Sequence, residues 1–254
     1  MTSAFEPNQT LARLYPEMAA GGFSRRDGFV EFYLRINALL TPESRVLDFG
    51  AGRGVWADPG ELAPTHVHLR SFHKRVAEVV GVDPDPVVEQ NPTLSRGLVV
   101  APGEDLPFAD EEFDLVLADY VLEHVATEDA PQVASEITRV LRPGGWFAAR
   151  TPYKWGMIAL AARAVPNRMH SRVLEQIQPD RQERDVFPTR YAMNTRRALR
   201  ALFPDQTHRR YIYNHTSEPT YFGTSTIGSR IAGMIGRLTP PPFEPTLMVF
   251  VQKR

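Results

Sequence analysis

The sequence predicts a doubly wound α/β fold built on a mostly parallel, seven-stranded sheet. Three observations lead there. A short apolar strand, Arg45 to Phe49, runs straight into a glycine cluster ending at Gly54. Apolar runs then alternate with helix-periodic segments up to Ala149, and two more strand-like runs, Arg209 to Tyr213 and Leu247 to Val251, close the chain. Strands alternating with helices imply a parallel sheet covered on both faces.

Taken in order, Phe29, Val30, Tyr33, Leu34, Ile36 and Leu40 recur at helical spacing from Asp27, and Thr41-Pro42 stops the pattern. Arg45 to Phe49 follows as a buried strand. Leu69, Phe72, Val76 and Val79 predict a helix that passes into a second strand, Val79 to Val82, ending at Asp83-Pro84. Leu98 to Ala101, Phe113 to Ala118 and Trp146 to Ala149 are three further strands. A helix-like segment, Gln132 to Leu141, lies before the last of them and is closed by Arg142-Pro143-Gly144-Gly145. Thr195 is placed to cap a short helix, Arg196 to Leu202. More than thirty residues separate the final two strands, too many for a hairpin turn, so an inserted element is expected there.

The 254 residues are enough for one substantial core and are expected to form a single domain. Within it, 1–40 is read as a helical cap, 41–154 as a ligand-binding core, and 155–190 and 215–243 as cover segments. Hydrophobic residues at 43% and charged residues at 23% exclude a disordered or fibrous chain. A formal charge of -1 supplies no global field for nucleic acid or an anionic membrane, so such a partner needs a local patch. The absence of cysteine excludes disulfides, thiolate metal sites and cysteine nucleophiles. The amino terminus does not read as a secretory signal, and the apolar stretch Trp155 to Val165 carries Arg163 and is too short to span a bilayer. A cytoplasmic location is the expectation, and the oligomeric state is left open.

The segment Val46-Leu47-Asp48-Phe49-Gly50-Ala51-Gly52-Arg53-Gly54 puts glycines where a strand turns sharply and a ligand must approach the backbone. Two details separate it from a dinucleotide site. Val55 stands where the third glycine of G-x-G-x-x-G belongs, and Asp48 sits at the strand end, where a carboxylate repels a pyrophosphate but suits a ligand carrying an ammonium and a sulfonium. That cation favours S-adenosylmethionine over NAD. Asp83 can accept hydrogen bonds from both hydroxyls of an unphosphorylated ribose, which either nucleotide has. Gly103 to Phe108 follows the third strand at the carboxyl edge and can offer a polar side chain to an adenine amino group.

Val46 to Gly54, Val80 to Asp83, Glu104 to Phe108, Phe113 to His124 and Leu141 to Gly145, in this order, resemble the signatures of class I S-adenosylmethionine-dependent methyltransferases of the small-molecule type. The resemblance covers about residues 40 to 155. It implies that Asp48 and the turn Gly50, Ala51, Gly52 and Gly54 hold the methionine portion of the cofactor and that Asp83, with Pro84, holds the ribose. By the same resemblance Glu104, Asp105 and Leu106 border the adenine, and Asp119 and Tyr120 line the cavity. Two departures blur any transfer of substrate residues. Asp58-Pro59-Gly60 and Pro64 interrupt and lengthen the stretch after the glycine turn, and the segment between the final strands is long.

Methyl transfer needs alignment, exclusion of water and, for some acceptors, a base. His124, four residues after Tyr120 on a short predicted helix, can share its face as that base, or can pack structurally beneath the cofactor. Tyr153 is an orienting hydroxyl or an ordinary loop aromatic. His66, His68, His73, Asp58 and Glu61 match no metal-site spacing and read as a solvated loop, so no metal is expected. Arginines from Arg163 to Arg210 can hold an anionic acceptor or pair with surrounding acids. Apolar stretches near Trp155 to Leu160 and Ile227 to Leu238 suit a lid over an apolar acceptor, contact with a membrane surface, or packing of added helices. The resulting expectation is methylation of an oxygen or nitrogen on a small or medium-sized metabolite, such as a glycan, lipid-linked or secondary-metabolite intermediate. An RNA or protein methyltransferase and a non-catalytic cofactor-binding regulatory subunit are the alternatives.

Overall fold

The computed structural model describes residues 9–157, 159, 190–218 and 226–254. Its strands are β1 (Arg45–Phe49), β2 (Glu78–Asp83), β3 (Arg96–Val99), β4 (Phe113–Asp119), β5 (Leu141–Pro152), β6 (His208–His215) and β7 (Thr246–Lys253). They form one seven-stranded sheet in the order β3-β2-β1-β4-β5-β7-β6. β7 runs antiparallel to both β5 and β6, and the other pairings are parallel. The chain winds outward from β1 to β3, then crosses back to add β4 beside β1. That reversal opens a crevice at the carboxyl ends of β1 and β4, where ligands bind in open α/β sheets.

The helices are α1 (Gln9–Leu14), α2 (Gly28–Leu39), α3 (Pro64–Arg70), α4 (Ala130–Val140), α5 (Arg196–Leu202) and α6 (Thr226–Leu238). Period-two alternation divides the core between the sheet's two faces. Val116 and Ala118 of β4, with Leu47, Phe147 and Val249, pack under α4 and α5. Leu115 and Leu117, with Val46, Ala148 and Phe250, pack under α2 and α3. The pattern is the reason both faces must be covered.

Local chemistry sets the helix starts. Asp27 caps α2, its Oδ1 accepting from the backbone N–H groups of Phe29 (2.9 Å) and Val30 (3.0 Å). Thr195 caps α5 through a 3.1 Å bond from the Ala198 N–H. Three expectations need correction. The helix predicted through Leu69, Phe72, Val76 and Val79 is two things: α3 ends at Arg70, and Val79 lies in β2. Pro64, read as an interruption, instead occupies the first turn of α3, where a missing N–H costs nothing. Residues 120–124 are a bend and turn rather than a helix, because Tyr120 takes a left-handed φ of 58° directly after β4. The helical-face argument linking Tyr120 to His124 therefore fails.

β6 ends and β7 begins at the same edge as the carboxyl end of β5, since Thr246 pairs with both His215 and Pro152. The inserted element thus leaves and rejoins the sheet at that edge. Most of the predicted cover segment 155–190 lies outside the described residues, as do Arg163, Arg168, Arg172, Arg181 and Arg184. Among the described residues, no helix is long and apolar enough to cross a membrane.

Candidate cofactor and active site

Asp48, Asp83 and Asp119 close three adjacent strands, β1, β2 and β4, at one edge. The glycine turn is stitched to β2: the N–H groups of Gly50 and Ala51 both donate to the Val82 carbonyl (2.8 and 3.1 Å), and Gly52 N–H donates to Asp83 Oδ2 (3.0 Å). Asp83 Oδ1 accepts from the Asp85 N–H at 2.9 Å, and each oxygen keeps further acceptor capacity. The buried Asn91, unremarked in the sequence, clamps the turn by donating to the carbonyls of Ala51 (3.2 Å) and Gly52 (3.0 Å).

Two glycines mark what the turn is for. Gly54, at φ 70°, would put a Cβ 2.3 Å from Asn91 Oδ1, so it is required for packing. Gly52, at φ 54°, would put a Cβ into open space with nothing within 4 Å. The backbone there is bare because the space beside it is left free, and the Asp83 carboxylate borders it. These residues fit a nucleotide bearing an unphosphorylated ribose.

Asp48 is buried, and its pKa is pushed up to about 6 by burial, opposed by Arg70 and reinforced by Asp119 and Asp83. Burial likewise pushes Asp119 upward, but Arg150, Arg70 and Tyr33 outweigh it and hold Asp119 below the usual carboxylate value. Arg150 clamps Asp119 from β5, with Nε on Oδ1 and Nη2 3.0 Å from Oδ2. Tyr33 Oη donates to Oδ2 at 2.9 Å, and Arg70 Nη1 approaches it at 3.6 Å. The Arg150 guanidinium also lies 4.9 to 5.8 Å from the rings of Phe29, Phe32, Tyr33 and Tyr120. Arg70 lies 4.8 Å from the Trp56 ring.

Of this cluster, the sequence reading singled out only Asp48, Asp119 and Tyr120. Tyr33, Arg70 and Arg150 come from α2, α3 and β5, and no local motif joins them. Alternation was the available signal for Arg150, since a charge in a buried strand needs a partner.

Glu104 and Asp105 are exposed. Glu104 Oε2 accepts from the Ala101 N–H at 3.0 Å, and Asp105 accepts from the Gln132 amide. Leu106 packs into the core beneath α4, its N–H donating to Glu136 Oε2 at 2.7 Å. Pro84 is exposed beside Asp83. Tyr120 is 41% exposed over Arg150. His124 and Tyr153 are half-buried, and the Tyr153 N–H reaches back to the Pro245 carbonyl at 2.7 Å. Glu123, next to His124, is buried and its pKa is pushed up to about 7 by burial, with Thr151 Oγ1 donating to it at 2.9 Å.

The predicted solvated histidine loop is corrected. His66 is buried in α3, its Nε2 2.7 Å from Asp27 Oδ2. Among the described residues no group of histidine and acid side chains is arranged to hold a metal. Arg196 and Arg210, from the predicted anion platform, are held by Asn214 (2.6 Å) and Asp205 (2.6 Å) respectively.

Residues 47–149 match the family model described as a methyltransferase domain. That stretch of the chain therefore resembles a methyltransferase domain. The matched span begins one residue before Asp48 and ends one before Arg150, so it encloses the glycine turn, Asp83 and Asp119. An uncharacterized methyltransferase of Mycobacterium sp. (strain JLS) is 39% identical over 109 residues, 41% of this chain and 38% of that protein. One from Mycolicibacterium gilvum is 31% identical over 151 residues, 57% of this chain and 52% of that protein. The chain therefore spans about half or less of the length of these relatives, 38% and 52%. Among solved structures, an S-adenosylmethionine-dependent methyltransferase from Archaeoglobus fulgidus aligns with 94% of this chain and all of its own (TM-score 0.52, 17% identity). A possible histamine N-methyltransferase from Thermotoga maritima aligns with 97% of this chain and 98% of its own (TM-score 0.52, 14% identity). At those identities the likeness speaks for the fold.

Proposed function

We propose that this protein transfers a methyl group from S-adenosylmethionine to an oxygen or nitrogen of a small or medium-sized acceptor held beneath the cover at the carboxyl edge. The observation carrying this is the free space beside Gly52, whose N–H is held by the Asp83 carboxylate, with the buried Asp48 carboxyl at the end of the adjoining strand β1. Asp48 and the turn Gly50 to Gly54 would hold the methionine portion, and Asp83 with Pro84 the ribose. Glu104 and Asp105 would border the adenine from the surface. Leu106 would support that wall from within the core.

When bound, the cofactor supplies a methyl carbon already activated by its sulfonium. The protein's part is then to bind, orient and exclude water. Asp48 is suited to face positive charge, because ionising it in this buried position becomes easier once a cation lies near. The Asp119–Arg150–Tyr33 clamp ties the ends of β4 and β5 to α2 and keeps the rim rigid. His124 and Tyr153 are the proposed proton acceptor and orienting hydroxyl for the acceptor. The near-neutral net charge supports a metabolite over a nucleic acid. The cysteine-free composition suits a reducing, cytoplasmic compartment.

Calorimetry with S-adenosylhomocysteine tests the cofactor half: saturable binding that Asp83→Ala abolishes or weakens supports it, and no binding by the native chain defeats it. Incubating the protein with a metabolite extract and isotopically labelled methyl donor, followed by mass spectrometry, tests the acceptor half. Label found only in RNA or protein would overturn the metabolite assignment.

A further inference from the structure

Helix α6 is laid on the fold with its small residues inward and its large apolar residues outward. Ser229 is 1% exposed and Thr239, just past the helix, 8%. A Cβ on Gly236 would stand 2.9 Å from Thr216. Ser229 and Gly236, seven residues apart, therefore define the docked side. Ile231, Met234, Ile235 and Leu238 recur at i, i+3, i+4 and i+7, the spacing of a single face, and are 50%, 56%, 45% and 76% exposed. A soluble surface helix has the opposite polarity.

Charge decides what the face is for. Arg230 and Arg237, also seven residues apart and both exposed, flank Met234 at i-4 and i+3 and form one rim of the apolar face. The thirteen residues of α6 include no aspartate or glutamate. A second copy of this helix would thus bring arginine to arginine and no acid to answer it. An apolar face rimmed by arginine alone is complementary to a bilayer surface carrying anionic headgroups, where the arginine stems lie along the apolar side and the guanidinium groups reach phosphate. Two exposed aromatics lie near the helix's carboxyl end. Phe243 is 48% exposed in the short turn that follows it. Trp155 is also 48% exposed, and the neighbouring Gly156 and Met157 adjoin Pro245 and Thr239.

We propose that the outward face of α6, formed by Ile231, Met234, Ile235 and Leu238 with Arg230 and Arg237 on its rim, docks the protein on anionic membrane surfaces. The helix does not span the bilayer; thirteen residues are too few. In the chain α6 lies between the end of β6 and the start of β7, both at the edge that carries the glycine turn. The inference stands on the helix alone and survives failure of the proposed methyl transfer.

The test is co-sedimentation of the full chain with phosphatidylcholine vesicles, with and without phosphatidylglycerol, at low and high salt. The native chain is expected to bind the anionic vesicles and to be released by salt. Met234→Glu with Leu238→Glu should abolish binding without lowering the melting temperature, because both side chains already face solvent. Arg230→Gln with Arg237→Gln should weaken binding by about tenfold and flatten the salt response. Three results would overturn the proposal: no binding to anionic vesicles, binding indifferent to both double variants, or a marked stability loss in M234E/L238E, which would assign the face to this chain's own core. A concentration-dependent dimer in light scattering that the glutamate pair dissolves would overturn it in favour of a second copy.

Discussion

Asp48 and Asp119 end neighbouring strands of one sheet and are both buried, yet their surroundings drive them in opposite directions. Asp119 is bound by Arg150 and Tyr33 with Arg70 close by, and is held ionised. Asp48 has the attraction of Arg70 but not enough of it to offset burial and two neighbouring carboxylates, and its pKa rises to about 6. In the proposed function the difference separates a carboxylate that braces the crevice wall from one that meets the cofactor. A charge already answered inside the protein can brace the wall, and one left under-compensated ionises more readily once a cation lies near.

Asp119→Ala strands the buried Arg150 guanidinium, so urea unfolding should show a loss of about 3–5 kcal/mol. A loss under about 1 kcal/mol would mean the pair behaves as a surface ion pair and the contrast is empty. Asp83→Ala should weaken S-adenosylhomocysteine by about 2 kcal/mol in calorimetry, the scale of a hydrogen bond to a charged group. It should also cost some stability, since the N–H groups of Gly52 and Asp85 lose their acceptor.

Asp48 differs from Asp119 in how it responds to pH. Its folded pKa of about 6 lies above the ordinary carboxylate value. The stability it contributes is therefore present in full below about pH 4 and is lost as the pH rises through 6. Asp48→Asn should raise stability above pH 6 by about 2 kcal/mol and flatten the profile between these limits, measured by urea unfolding across that range. The same variant should weaken S-adenosylmethionine more than S-adenosylhomocysteine, which lacks the sulfonium charge. A stability loss at pH 8 would reverse the assignment. The smallest effect belongs to Tyr33→Phe, which removes one bond to Asp119 and should cost about 1 kcal/mol with cofactor affinity unchanged.

Much of the fold was legible because its signals are local. The apolar run from Phe113 to Ala118 anticipates a strand buried on both faces, Thr195 is a cap with ordinary chemistry, and Val46 to Gly54 carries a strand and its turn in one stretch. The misreadings have physical causes. Leu69 to Val79 mixes a helix end with a strand start, and apolar residues at matching intervals cannot reveal that the chain stops being helical at Arg70. Tyr120 was placed on a helix because nothing in its type announces a left-handed φ, a conformation imposed where β4 ends. His66 looked solvated because its partner, Asp27, is thirty-nine residues away.

Within the chain's own order of residues lay the alternating pattern that demands a covered sheet, and the bend after β1 with an acid before it. Those are consequences of backbone sterics and side-chain type over a few neighbours. Which acid is neutralised, which arginine neutralises it, and which side of α6 is left bare depend on residues from α2, α3, β5 and β6 meeting in space. Electrostatics and burial act through distance, and only folding sets the distances.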